Sequence, residues 1–217
     1  MPPDYESSSV LLRRAALQHG LAGQAALEGE FVPRAKAFLA EARAIQLAAH
    51  RAGVRAGSVA RLRADAIDIL IDALFLRAGP AAAALSLVAT GGYGRAELCP
   101  LSDIDLLVLV PRHSAANKAL VESILYPLWD LGLKVGQSVR TVTESTNYAK
   151  DDLHLHVALL ETRHLCGSAE LFAQLQAKVA ALLGGQAWRP FARAIVESQR
   201  KRRDKAGGSA YLQEPDL

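Results

Sequence analysis

The sequence predicts an α/β (α+β) fold in which a mixed sheet is preceded and followed by helices. Two observations carry that prediction. Leu85 to Val110 holds two apolar runs separated by a Gly pair and a short polar crossing. The stretches on either side of it carry helical periodicity instead.

The helices come first. Ser8 to His19 suits a short helix capped by one of its serines and ended by Gly20. Pro33 can open a second helix reaching about His50, rich in Ala, Leu and Arg. After Gly57 and Ser58, Val59 to Leu76 forms a third, whose Ile67, Ile69, Leu70, Ile71, Leu74 and Phe75 make an apolar stripe. These are scaffold helices, to which no chemistry is assigned. Gly79 and Pro80 end the helical region and the sheet begins near Ala84. A first strand leads to the Gly pair, a helical turn follows, and a second strand opens with Asp103 and Asp105. Ser114 to Leu131 reads as an amphipathic helix and Leu133 to Val142 as a third strand. Helices over about Glu144 to Leu160, Leu171 to Leu183 and Arg189 to Lys205 complete the chain. The expected parts are an N-terminal helical region (1–80), a central core (81–167) and a C-terminal helical region (168–217).

Composition bounds the function. With 51% apolar and 22% charged residues in 217, the chain belongs with globular proteins rather than disordered ones. Its longest apolar runs fall well short of the ~18 residues that span a bilayer. The opening M-P-P-D-Y-E lacks the basic-then-apolar profile of a secretory signal, so a cytoplasmic location is expected. Cys99 and Cys166 fit reduced thiols. A net charge of +3 is too small, and its cations too little interleaved with aromatics, to indicate nucleic acid. The excess gathers in Arg200, Lys201, Arg202, Arg203 and Lys205, a run that more often forms a solvated face.

Chemistry concentrates between the two central strands. Side chains two apart on a strand share a face, so Asp103 and Asp105 project together while Ile104 points away. Like charges this close are costly unless a cation lies between them, and oxygen-only ligands suit Mg²⁺. Leu106 to Val110 are apolar on both faces, which makes this a covered central strand with charges at its mouth. Gly91 and Gly92 allow backbone N–H groups to approach an anion closely. None of the seven lysines stands in a Walker setting, and Gly92 and Gly94 are followed by Glu97 where a dinucleotide fingerprint needs a third Gly. His154 and His156 diverge on a helix and are assigned no metal.

Gly-Gly, ten residues, then Asp-Ile-Asp opening a hydrophobic strand resembles the signature of the polymerase-β-like nucleotidyltransferase superfamily. The longer string G-G-Y-G-R-A-E-L-C-P-L-S-D-I-D-L-L is similar to the nucleotidyltransferase domain of the bifunctional uridylyltransferase/uridylyl-removing enzymes that act on PII nitrogen-regulatory proteins. Leu128 to Val142 resembles that family's W-D-x-G-L-K-V-G-H-S-V-R-T, with Gln137 where His is usual. Leu159 to Gly167 and Ser209 to Pro215 resemble two further segments. Ala96 stands where Gly is frequent, and Asp216 where Asn is expected.

The resemblance implies a polymerase-β-like fold and a Mg²⁺-dependent transfer of UMP from UTP to a tyrosine hydroxyl of a PII-type protein. It implies Asp103 and Asp105 as metal ligands, with Gly91, Gly92, Arg95 and Ser102 around the nucleotide. The superfamily's third carboxylate falls on Glu161, whose alternative is a salt bridge with Arg163 or a helix-end charge. Another donor or acceptor, or binding without catalysis, stays open at this point. The family's hydrolase domain needs a His-Asp doublet that this sequence lacks, so the removing activity is not expected.

Overall fold

The computed structural model describes residues 4–182, 184, 188–205 and 207–208, and its four strands form one mixed sheet in the order β3-β2-β1-β4. β1 (Ser86–Ala89) lies between two antiparallel neighbours, β2 (Ile104–Leu109) and β4 (Arg163–Gly167). β2 in turn pairs in parallel with β3 (Val135–Arg140). The expected mixed sheet is present, with β4 added inside the L-L-E-T-R-H-L-C-G segment. That strand is a short edge with a register shift opposite Leu87/Val88 and only half-buried residues, so it carries no alternation to read.

Helices α1 (Tyr5–Gln18), α2 (Phe31–Arg51) and α3 (Ala56–Arg77) precede the sheet. The cap of α1 is Asp4 and not a serine: its carboxylate accepts from the Ser7 amide at 2.8 Å while Ser7 Oγ accepts from the Asp4 amide at 3.0 Å. This reciprocal box starts the helix ahead of the expected Ser8. Pro33 sits within the first turn of α2, where its missing N–H is one of those without an intrahelical acceptor. α4 (Gly91–Gly94) is the helical turn expected after β1, and α5 (Ala115–Asp130), within the helix expected over Ser114 to Leu131, is capped by Ser114. Helices are expected over Glu144 to Leu160, and two are present, α6 (Val142–Asp151) and α7 (Leu153–Leu160). Asp152 leaves helical geometry between them, and its carboxylate caps α7 by accepting from the amides of His154 and Leu155. α8 (Ala169–Leu182) and α9 (Trp188–Lys205) follow β4.

Strand alternation sends the sheet's apolar residues to two cores. Leu87, Ala89, Ile104, Leu106 and Val108 pack with α1, α2, α3 and α5, so the larger core runs continuously from the N-terminal helices into the sheet. Val88, Leu107 and Leu109 pack with α6, α7 and α8 on the opposite face. By the same period-2 rule Asp105 falls on the smaller core's side, in line with Leu107.

α3 does more than fill the core. Asp68, in its middle, accepts from the Tyr93 hydroxyl at 2.6 Å and from both terminal nitrogens of Arg163, at 2.7 and 3.1 Å. One carboxylate thus joins the long helix to α4 and β4. Arg163 is 30% and Asp68 26% exposed, so the pair is partly shielded from screening and removing one partner strands the other. Asp68→Ala is expected to lower the unfolding free energy by roughly 2 kcal/mol, the scale of a charge-assisted hydrogen bond. Asp68→Asn should lose less, and urea denaturation at pH 7 distinguishes the two.

Candidate active site

The site is built where β1 ends. Thr90 hydrogen-bonds through its N–H to the Asp105 carbonyl at 3.1 Å, and the chain then winds into α4, with Gly91 at a φ of +58°. A side chain other than Gly is strained at that angle. The amides of Gly94 and Arg95 bond back to the carbonyls of Thr90 and Gly91, which leaves the first-turn N–H groups of Gly91, Gly92 and Tyr93 without intrahelical acceptors. Gly94 has a different task. A Cβ there would stand 1.8 Å from the Glu161 carbonyl oxygen, so the turn lies directly on the backbone that leaves α7.

Two contacts from α3 hold this turn and the crossing after it. Tyr93 is buried and clamped by Asp68, and burial, then the Asp68 charge, pushes its phenol pKa up. Arg63 donates to the carbonyls of Cys99 and Ser102, fixing the loop that delivers Asp103. The crossing also contains Ala96 at a φ of +57°, a left-handed angle on a residue with a Cβ.

Asp103 and Asp105 lie at the exposed mouth of β2. Asp105 stands opposite Gly136 of β3, and a Cβ on Gly136 would sit 2.7 Å from the carboxylate Oδ1; one on Gly91 would sit 3.6 Å from Oδ2. Two glycines therefore make the seat in which this carboxylate rests. That partial desolvation, followed by the negative charge of Asp103, raises the pKa of Asp105. A cation shared by the two would relieve both costs, and an oxygen pair at the surface is the donor set that Mg²⁺ takes when phosphates and waters supply the rest. The residues present fit such an ion.

The expected third carboxylate is not brought to this pair. Glu161 is ion-paired with Arg95, which also holds Glu97 at 2.9 Å. Among the described residues no third His, Cys, Asp or Glu joins Asp103 and Asp105. Arg163, the alternative partner, belongs to Asp68. Arg95 is thus neutralised by two carboxylates, and Ser102 lies exposed in the loop with its carbonyl bound by Arg63.

A cleft of about 440 Å³ opens in front of Asp105, lined by Thr90, Gly91, Gly136, Ser138, Arg140 and residues of α7. Arg140 is the site residue that sequence reasoning passed over. It shares the face of Gly136 and Ser138 and stacks over the Tyr148 ring at 4.8 Å. Its Nη1 is buried with no hydrogen-bond partner among the described residues, a cation in a phosphate-sized cleft with a donor to offer. The signal was its place at the end of the third strand, two residues on from Ser138 on one face, which alone says nothing of where the guanidinium goes. His154 and His156 diverge on α7: His154 is exposed at the cleft, whereas His156 is buried with its ring 4.1 Å from that of Phe191. The basic residues of α9 are exposed, and Lys201, Arg202 and Lys205 line a second hollow that shares His154 with the cleft. The resembling segment Ser209 to Pro215 lies outside the described residues.

Residues 79–159 match the family described as "Nucleotidyltransferase domain", and they contain the Gly turn, both aspartates, Gly136 and Arg140. This segment is a nucleotidyltransferase domain. The mixed sheet with helices on both faces is the architecture expected of its polymerase-β-like class. The chain is also similar to proteins named "Bifunctional uridylyltransferase/uridylyl-removing enzyme". It is 40% identical to the one from Azospirillum brasilense over 152 residues, 69% of this chain and 16% of that protein. To those of Bradyrhizobium sp. strain BTAi1 and Cereibacter sphaeroides it is 34% and 35% identical over 99% and 100% of its own length. It spans 24% and 22% of theirs. No helix among the described residues is long and apolar enough to cross a membrane.

Two measurements check this geometry. Ala96→Gly should raise stability by about 1 kcal/mol, the cost of a left-handed angle on a residue with a Cβ, as read by denaturant midpoint. For Asp105 the folded-state pKa lies above the ordinary 3.8. The folded protein therefore holds that proton longer than the unfolded chain, and stability falls as pH rises from about 4 through the folded value. Asp105→Asn should then melt higher than the wild type at pH 7 without divalent cations and equal it below pH 4. Mg²⁺ added together with a nucleoside triphosphate should raise the melting temperature of the wild type more than either does alone, and should leave that of the variant unchanged.

Proposed function

We propose that the chain transfers a uridylyl group from UTP to a tyrosine hydroxyl of a PII-type regulatory protein in a Mg²⁺-dependent reaction. The observation that carries the chemistry is the Asp103–Asp105 pair, with Asp105 seated between Gly91 and Gly136 at the mouth of a cleft lined by Arg140, whose Nη1 has no hydrogen-bond partner among the described residues. The donor and acceptor rest on the resemblance and on the names of the relatives.

Each residue has a task in that reading. Asp103 and Asp105 hold the cation. When bound, Mg²⁺ supplies the positive charge that offsets what develops on the α-phosphate and on the departing pyrophosphate. The free N–H groups of Gly91, Gly92 and Tyr93 meet phosphate oxygens along the lip of the cleft. Arg140, prepositioned by Tyr148, donates to a phosphate from the opposite wall. Glu161 acts through Arg95, holding the turn rather than touching the reacting atoms. The bond formed joins the acceptor oxygen to the α-phosphorus, the bonds broken release pyrophosphate and the hydroxyl proton, and that proton leaves to solvent.

Incubating the chain with Mg²⁺, a PII-type protein and each of UTP, ATP, GTP and CTP, then weighing the acceptor by mass spectrometry, tests the reading. UMP addition is expected, and Asp103→Asn or Asp105→Asn should reduce it on the order of 10³-fold or more while the fold survives. Adenylyl or guanylyl addition would reassign the donor, and activity within tenfold of wild type in either variant would remove the metal assignment. Arg140→Ala should weaken UTP binding at least ~10-fold by calorimetry, with partial recovery in Arg140→Lys. Equal affinity in all three proteins would release Arg140 from the site.

A further inference from the structure

β3 is an edge strand, and its two faces look into two different cavities. Its pairing with β2 uses the carbonyls of Lys134 and Arg140, which accept from the amides of Ile104 and Val110 at 2.8 and 3.0 Å. A strand residue directs its N–H and C=O to the same side, so the even-numbered residues of β3 bond to β2. Val135, Gln137 and Val139 therefore present theirs outward, and among the described residues no strand pairs with that edge.

Side chains alternate across the same strand. Gly136 and Ser138 line the catalytic cleft beside Asp105, whereas Val139 lines a larger hollow of about 740 Å³ between β3 and α5. That second hollow is mostly apolar, walled by Val121, Leu125, Tyr126 and Trp129, and the last two are 50% and 40% exposed. Gln137 borders both cavities, so the groove continues into the cleft across the strand.

We propose that this edge is the docking site for the acceptor: an extended segment of the acceptor protein adds to β3 as a fifth strand. The proposal rests on the acceptor being a protein, as argued above. Added strands carry their own period-2 alternation, so residues of the segment enter the cleft and the apolar groove by turns. A residue level with Gly136 faces Asp105 with no intervening side chain, because Gly136 has none. At two strand spacings, roughly 10 Å from the Asp105 backbone, only a long side chain brings its hydroxyl to the carboxylates. Tyrosine does and serine or threonine does not. The neighbours of that tyrosine meet Val139, Tyr126 and Trp129, which calls for an apolar or aromatic residue next to the modified one.

The test uses the chain, Mg²⁺, UTP and a PII-type protein. Amide hydrogen exchange should show protection of Gln137 and Val139 when the acceptor is added. Gln137→Pro removes an outward N–H without touching the ladder to β2 and should raise KM for the acceptor at least tenfold. Tyr126→Ala and Trp129→Ala should raise KM for the acceptor and leave KM for UTP and the melting temperature unchanged. Acceptor KM unchanged in all three variants, with transfer intact, would overturn the edge and leave the transfer reading standing. No transfer to the acceptor by the wild type would overturn the transfer reading and the edge with it. A wild-type dimer by light scattering that Gln137→Pro makes monomeric would give the edge to a second copy and also overturn the proposal.

Discussion

The carboxylate of Asp68 is the point on which the site depends. It receives the Tyr93 hydroxyl and both terminal nitrogens of Arg163, and Arg163 also reaches the Tyr93 carbonyl at 3.3 Å. Burying such a group is costly unless its lone pairs are filled, and here three donors fill them. Satisfaction of one charge therefore fixes the helical turn after β1 relative to β4, two segments with no covalent reason to be neighbours. Five residues earlier on the same helix, Arg63 fixes the far end of the crossing by binding two carbonyls. The Gly turn and the aspartates are thus referred to one rigid rod. A helix that reads as scaffold because its stripe is apolar carries the groups that align the chemistry.

Backbone contact does the rest. Once the turn is fixed, Gly94 rests on the Glu161 carbonyl and Gly136 leaves room for the Asp105 carboxylate, each at a distance that a Cβ would close. The glycines of the G-G-Y-G string thus have separate reasons: Gly91 for its angle, Gly94 for contact with the end of α7. Positions needing no side chain are as specific as those needing a charge, since a methyl group at either place forces either backbone or carboxylate to move.

The parts legible in the sequence are those whose logic is local. Gly91 and Gly92 before an apolar strand headed by Asp103 and Asp105 can be read because ten intervening residues and a period-2 face suffice. The helix over Ser114 to Leu131 needs only its own apolar period. Asp68, Arg140 and β4 were not legible for the opposite reason. Asp68 looks like one polar position on an amphipathic helix, and its partners are 25 and 95 residues away. Arg140 is one arginine at the end of a strand until the cleft is seen around it. Glu161 shows the limit of carrying a role over by motif: the segment matches, yet its carboxylate is taken by Arg95, which the motif does not weigh. The place of the break between α6 and α7 was not legible either, because Asp152 is tolerated inside a helix and only its cap bonds reveal it.

Two aspartates without a third make an incomplete cage, and this has an energetic consequence under the proposed reading. In the free protein the pair repels, and the seat of Asp105 withholds some of the water that would soften the repulsion. A divalent ion held by two carboxylates alone gains little over its hydrated state, because Mg²⁺ dehydrates reluctantly and prefers to keep oxygen ligands all round. A triphosphate on the lip formed by Gly91 and Gly92 brings further oxygens but adds negative charge beside Asp103 and Asp105. Neither ligand is favoured without the other, and together they cancel each other's cost. The same arrangement that makes the pair destabilising when empty thus makes nucleotide and cation bind cooperatively, with the cooperativity set by two charges and two missing Cβ atoms rather than by any movement of the fold.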